Sequence, residues 1–118
     1  MIQGIHAIIY SKKAEELRRF LSDELEWRSV DAGEGWLIFA LPPAEMGIHP
    51  TEEEGHHELF LMCTEINGTV EQLKGKGVKI KSPISDRGWG LVTKLELPSG
   101  DEIALYQPKH PTAITLVA

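Results

Sequence analysis

Two histidines, His6 and His57, stand at the start of matching segments in the two halves of this 118-residue chain. Each opens a run of mainly apolar residues, over 7–10 in the first half and 59–62 in the second. Imidazole is a common ligand of divalent metals and titrates near neutral pH. The repeated placement predicts equivalent positions for the two side chains, either as metal ligands or as cavity-lining histidines held by protein hydrogen-bond partners.

Three aromatic residues, Trp36, Trp89 and Tyr106, are candidates for contact with a small molecule, because rigid rings supply contact area at little entropic cost. Trp89 lies between two glycines in a predicted loop, and the nearby Arg87 could receive a carboxylate or phosphate. Other interpretations stay open: core packing or a dimer contact for Trp36, and a surface salt bridge for Arg87.

The elements that would position these residues follow a simple order in the first half. An alternating strand is predicted over residues 2–10, and an amphipathic helix follows over 14–25. Strands over 27–31 and 36–41 flank a Gly-Glu-Gly turn, and a short strand at about 45–49 closes this half.

The second half repeats that order, which predicts a duplicated architecture. A strand over 57–63 leads to a helix capped by Asn67 and ended by Gly77. The remaining predicted elements are a short strand at 78–80, a loop at 83–90, and strands over 91–97 and 102–106 on either side of a turn.

Because each helix covers one face of its sheet, the other faces of the two halves are predicted to enclose a ligand cavity. In the strand over 57–63, alternation groups His57 with Leu59, Leu61 and Cys63, and it groups Phe60 with Met62. The length of the chain suits one domain in which the two halves share a core.

Charge and apolar content exclude several classes of function. Twelve basic and eighteen acidic side chains give a formal charge of -6, which disfavours nucleic acid and anionic membranes as partners. No apolar run approaches a membrane span and the first residues lack a signal peptide, so a cytoplasmic location is expected. The single cysteine, Cys63, excludes an internal disulfide and is expected to be a small core residue.

With this pattern in hand, the chain resembles the vicinal oxygen chelate superfamily, which includes glyoxalase I, bleomycin-binding proteins and extradiol dioxygenases. The resemblance implies an α+β fold of two βαβββ repeats, in which a curved mixed sheet surrounds a cavity. It implies one domain over residues 1–118, with half-repeats at about 2–50 and 56–108 and a short C-terminal tail. The segments that carry the resemblance lie at residues 6–10, 57–62, 87–90 and 98–108.

The same resemblance implies a divalent metal, such as Zn, Ni, Mn or Fe, held by two histidines and one or two glutamates. His6 and His57 take the two histidine positions, but Ala104 stands where relatives carry a ligand glutamate. Glu102 shares that side of the strand, although it lies roughly 6.6 Å further back. The remaining family position also lacks a donor, and His49 lies two residues beyond it.

We therefore expect a glyoxalase-like protein that binds a small molecule in its cavity and has an incomplete metal site. The alternative is a metal-dependent lyase, isomerase or dioxygenase that uses His6 and His57 with Glu102 or His49. A homodimer is expected in either case, because apolar sheets would leave a wide exposed patch on a single chain.

Overall fold

The computed structural model of the protein describes residues 6–48 and 50–114. In this part of the chain, two helical segments and two sheets, one of them mixed, make an α+β fold, as predicted from the sequence. No helix within these ranges is long and apolar enough to cross a membrane. The elements are α1 (Ala14–Arg19), which continues as a π-helical turn over Phe20–Glu24, α2 (Ile66–Gly75), and strands β1 (Ser29–Asp31), β2 (Leu37–Phe39), β3 (Phe60–Met62), β4 (Ser85–Asp86), β5 (Gly90–Glu96) and β6 (Glu102–Pro108).

In the first half, the predicted helix and hairpin are confirmed. Leu17 and Phe20 lie on the buried stripe of the first helical segment. β1 and β2 pair in antiparallel orientation, and Asp31 closes their turn because its carboxylate accepts hydrogen bonds from the Gly33 and Gly35 amides, at 2.7 and 3.2 Å.

Two strand predictions in the first half are wrong for the residues that the structure describes. Residues 6–10 and 45–48 belong to no strand, and apart from the half-buried Glu45 they are exposed. Alternation of apolar residues predicts a strand, but a strand also needs a neighbour to pair with its amides and carbonyls, and these segments pair with no described strand. The rest of both predicted strands, residues 2–5 and His49, lies outside the described residues.

The second half forms a four-stranded sheet in the order β3-β6-β5-β4. β3 runs parallel to β6 and the other neighbours are antiparallel. The predicted strands at 91–97 and 102–106 are confirmed as β5 and β6, whereas the strand at 78–80 is reduced to one bridge with Leu95. The predicted loop 83–90 contains the short strand β4.

α2 begins two residues earlier than the sequence indicates, at Ile66 rather than after Asn67. Glu65 is the N-cap, because its backbone is extended and its carboxylate accepts a hydrogen bond from the Gly68 amide. The Ile66 amide donates to Oε1 of Gln107 at 2.9 Å, which ties the start of the helix to β6.

The two faces of the second sheet have different surroundings. One face packs against the helices in the main core, where Leu95 and Ile66 are fully buried. Cys63 packs against this core, as expected, and burial raises the pKa of its thiol. The opposite face, which we call the aromatic face, consists of Phe60, Met62, Val92, Ala104 and Tyr106.

Candidate functional site

Three rings meet edge to face at the end of the aromatic face. The Phe60 and Tyr106 centroids are 5.4 Å apart, those of Trp89 and Tyr106 are 5.7 Å apart, and those of Phe60 and Trp89 are 6.0 Å apart. Tyr106 is 8% exposed and Trp89 is 44% exposed. Tyr106 therefore forms the floor of an aromatic cluster, and Trp89 presents ring surface to solvent at its rim.

Gly90 allows the floor and the rim to come together. It pairs with Pro108 across the β5–β6 ladder, and Val92 pairs with Tyr106. A Cβ at Gly90 would stand 2.9 Å from the carbonyl oxygen of Gln107 and 3.1 Å from Cδ2 of Tyr106. The lack of a side chain at this position lets the Tyr106 ring lie over the start of β5.

The loop that carries Trp89 is held from both sides. Gly88 has a φ of +83°, and its amide donates to the Asp86 carboxylate at 2.8 Å. Lys109 reaches the same carboxylate with its ammonium at 2.8 Å, and its amide donates to the Trp89 carbonyl at 2.9 Å. The hydrogen bond from Lys109 is the main cause that lowers the pKa of Asp86, so this carboxylate is ionised at neutral pH.

The C-terminal segment and residue Glu45 approach Tyr106 from another side. The centroid of the His110 ring lies 6.2 Å from that of Tyr106, at an interplanar angle of 30°. Glu45 accepts a hydrogen bond from the Ala113 amide at 2.6 Å. Burial, and then the negative charge of Glu45, raises the pKa of Tyr106, so the phenol stays protonated and able to donate at neutral pH.

Lysines occupy the continuation of the aromatic face beyond the rings. Lys94 stands directly opposite Ala104 across the β5–β6 ladder, and its carbonyl accepts a hydrogen bond from the Lys81 amide at 2.8 Å. Lys81 and Lys79 form ion pairs with Glu96 at 3.2 and 3.6 Å. The hydrogen bond from Lys81 is the main cause that lowers the pKa of Glu96.

The structure brings together two of the four residues predicted to contact a ligand, Trp89 and Tyr106. Arg87 is exposed beside them, and its Nε donates to the Ser85 hydroxyl at 3.0 Å. Trp36 lies just before β2 in the other sheet and is exposed, with the Arg18 guanidinium 5.7 Å from its ring centroid. Trp36 therefore belongs to a different surface from the aromatic cluster.

The candidate metal ligands do not converge within the described residues. His6 and His57 are exposed. The strand predicted over 57–63 is confirmed only for Phe60–Met62, so His57 lies outside it, and Leu61 and Cys63, which the sequence groups with His57, pack toward the helices. Glu102 is exposed and stands opposite Glu96, and His49 lies outside the described residues. Across residues 6–48 and 50–114, no group of three or more His, Cys, Asp or Glu side chains is placed to hold a metal ion.

The side chains around Ala104 also argue against a metal site. A methyl group offers no donor, and the ammonium-bearing Lys94 is the residue paired with it across the ladder. A positive charge beside the position of a missing carboxylate disfavours a divalent cation there. The residues around Ala104 therefore do not fit the metal centre that the sequence resemblance implies.

Two surface hollows lie away from the aromatic face. One, of about 210 Å³, separates α2 from residues 80–84. The other, of about 610 Å³, is open and lies between residues 10–12 and the turn that contains Ser99 and Asp101. Neither is lined by a member of the aromatic cluster.

Several residues at this site do not stand out in the sequence as ligand contacts. Alternation places Phe60 correctly on the face of Met62, but no local pattern connects it with the loop that follows β4. Lys94 has a visible signal, since it is a charged residue on the same side of a strand as Val92. His110 and Glu45 carry no such signal, because their approach to the Tyr106 ring depends on loop paths that local sequence does not specify.

Comparisons with known proteins give matches at the level of structure. No protein-family model matches the chain, and no curated protein matches it in sequence. Among solved structures, it is similar to the antibiotic-binding protein TnmS3 from Streptomyces sp. CB03234, with a TM-score of 0.66, 21% identity and coverage of 92% of this chain and 98% of the other.

Two further structures extend the comparison. A glyoxalase/bleomycin resistance protein/dioxygenase superfamily member from Sphaerobacter thermophilus has a TM-score of 0.62 and 21% identity, covering 90% of this chain and 98% of its own. A lactoylglutathione lyase from Agrobacterium tumefaciens has a TM-score of 0.65 and 9% identity, with coverage of 89% and 92%. At these identities the likeness establishes the fold, and it confirms the fold class expected from the sequence.

Proposed function

We propose that this protein, which has the fold of the glyoxalase/bleomycin resistance/dioxygenase superfamily, binds a small molecule on its aromatic face. The observation that carries the proposal is the cluster of Phe60, Trp89 and Tyr106, in which two rings support a third that remains half open to solvent. Flat ligands stack on such rings or meet them edge to face.

Local structure supports a site that is formed before the ligand arrives. Asp86 and Lys109 fix the loop of Trp89, and the close packing at Gly90 fixes Tyr106. Because these side chains are already ordered, the ligand would not have to order them on binding. The similar structure of TnmS3, described as an antibiotic-binding protein, is consistent with this use of the fold.

The proposed binding depends on apolar and aromatic contact and uses no metal. Ala104 stands in place of the carboxylate that the sequence resemblance implies, and Lys94 adds positive charge on the neighbouring strand. We therefore expect the protein to bind its ligand without a metal bound at this face.

The first test uses N-phenylnaphthylamine, a neutral aromatic dye whose fluorescence rises in apolar surroundings. We expect saturable binding by the native protein and about a tenfold weaker affinity for Trp89→Ala, because the exposed ring supplies much of the contact area. Trp36→Ala is the matched control, since it removes a large exposed ring from the other sheet.

Two kinds of outcome would contradict the proposed binding site or its metal-free character. Equal losses in the two tryptophan variants, or no loss in Trp89→Ala, would show that the aromatic face is not the binding site. Stoichiometric metal in the purified protein, lost in both His6→Ala and His57→Ala, would favour the metal-dependent enzyme instead.

We also propose that the protein is a homodimer that covers apolar residues of the first half. Within residues 6–48, exposed apolar side chains include Tyr10 at 87%, Ile48 at 84% and Met46 at 70%. Exposure on this scale is costly for an isolated chain and typical of an interface. A second copy is the proposed cover, since a symmetric pair can bury the same residues on both chains, and we call these residues the dimer patch.

Light scattering coupled to gel filtration tests this proposal. We expect a mass of about twice 13.2 kDa for the native protein and a shift toward the single-chain mass for Met46→Glu, because one substitution places two charges in a symmetric interface. Leu59→Glu, at an exposed site in the second half of the chain and not among the dimer-patch residues, is the control and should stay dimeric. A native mass of 13.2 kDa in dilute buffer would contradict the proposal.

A further inference from the structure

We propose that the ligand of the aromatic face is a ring-bearing monoanion, such as an aromatic carboxylate or sulfonate, and that Lys94 is its counter-ion. The inference rests on the proposed function, since it takes the ring contacts from the Phe60, Trp89 and Tyr106 cluster. It adds the chemical class of the ligand and the residue that selects it.

Strand register places Lys94 on the same side of the sheet as the rings. Lys94 pairs with Ala104, and Val92 pairs with Tyr106 one step further along the same ladder. Residues two apart on a strand point to the same face, and their Cα atoms are roughly 6.6 Å apart. Ala104 is also the partner of Phe60 in β3, so Lys94, Ala104 and Phe60 form one row across the sheet.

The other lysines of this region are already engaged. Lys79 and Lys81 are paired with Glu96, whereas Lys94 forms no ion pair with any residue in the described ranges. Lys94 is exposed, yet its neighbours in β5, Thr93 and Leu95, are fully buried. The strand backbone is therefore fixed, and the free ammonium is tethered at one end of the aromatic face.

Acidic residues beyond Lys94 give the site a direction. Glu102 lies diagonally from Lys94 on the same face and stands opposite Glu96. Because Lys79 and Lys81 are paired with Glu96, Glu102 is the carboxylate on the side away from the rings that forms no ion pair within the described residues. An anion would be repelled from that side and attracted to the side of Ala104 and Phe60. Between the ammonium and Phe60, Ala104 presents only a methyl group.

These features define the ligand by its shape and charge. A ring seated against Trp89 and Tyr106 would place a substituent about one two-residue strand repeat away, roughly 6.6 Å, beside Lys94. An anionic substituent gains a charge-assisted interaction at that point, and a neutral one gains none. A cationic substituent is disfavoured, although the chain as a whole has a formal charge of -6.

The test compares two dyes that share one ring system, anilinonaphthalene sulfonate and its neutral parent N-phenylnaphthylamine. We expect the native protein to bind the sulfonate more tightly, and Lys94→Gln to weaken sulfonate binding by about fivefold with little change for the neutral dye. Lys94→Arg should retain the preference. Lys74→Gln, on α2, removes the same net charge elsewhere and is the matched control.

Failure of the inference differs from failure of the proposed function. Equal affinity of the native protein for both dyes, or equal loss of both in Lys94→Gln, would overturn the role of Lys94 while leaving the aromatic site in place. The same loss of sulfonate binding in Lys74→Gln would also overturn it, because net charge alone would then explain the preference. Unchanged binding of both dyes in Trp89→Ala would instead refute the aromatic site itself.

Discussion

Leu95→Ala is expected to destabilise the fold by about 3–5 kcal/mol, measured as the free energy of unfolding in urea. Leu95 is 0% exposed, and it joins the main core on the helix side of β5. It also pairs with Ile103 across the ladder and with Ile80 in the isolated bridge, so three segments pack around it. Removing its branched end leaves a cavity that the fixed sheet cannot close.

Leu59→Ala provides the comparison for this substitution. Leu59 is exposed just before β3, so the same change should cost less than about 1 kcal/mol. If Leu95→Ala fails to fold, Ile66→Val probes the same core with an expected cost of about 1 kcal/mol. Similar stabilities for Leu95→Ala and Leu59→Ala would mean that the core is not centred on β5.

The sequence indicates this core well because the spacing of apolar residues within β5 and α2 is a local pattern. In β5, Leu91, Thr93 and Leu95 alternate with Val92 and Lys94, which separates a helix-facing side from a second face without knowledge of the partner strand. The buried stripe of α2 is equally readable from its helical period. β5 and α2, which each follow one clear apolar period and pack in the described core, are therefore predictable in type and nearly so in their limits.

The N-terminal segment shows that apolar alternation alone does not predict a strand. Residues 6–10 have a strand-like composition but no described strand pairs with them, and Ile8 and Tyr10 are exposed. Composition indicates which residues prefer to be buried, while the partner that buries them can come from a distant segment or a second chain. The local pattern contains no direct information on that partner.

The residues of the candidate site also differ in whether the local sequence predicts them. Trp89 and Tyr106 are predictable because a tryptophan between glycines and a tyrosine in a strand are visible locally. The pairing of Lys94 with Ala104 depends on the β5–β6 register, which is set by the turn where the Leu97 amide donates to the Asp101 carbonyl at 2.7 Å. The turn residues are identifiable from sequence, but the hydrogen bond that fixes the register is not.

Gly90→Ala should destabilise the protein by about 1–3 kcal/mol and should also disturb the aromatic cluster. The added methyl group would meet the Gln107 carbonyl oxygen at 2.9 Å and the Tyr106 ring at 3.1 Å. The carbonyl belongs to the β5–β6 ladder and cannot move freely, so the Tyr106 ring and the local backbone must shift. We expect a lower midpoint of urea unfolding and a changed near-ultraviolet circular dichroism spectrum, together with weaker binding of N-phenylnaphthylamine.

Gly75→Ala is the matched control, with an expected effect of opposite sign. Gly75 is the last residue of α2, and a Cβ there would meet no atom within 4 Å. Alanine should therefore stabilise the helix by up to about 1 kcal/mol without changing dye binding. If Gly90→Ala matched Gly75→Ala in both stability and dye binding, Tyr106 would not depend on its close contact with β5, and the floor of the proposed site would not be preformed.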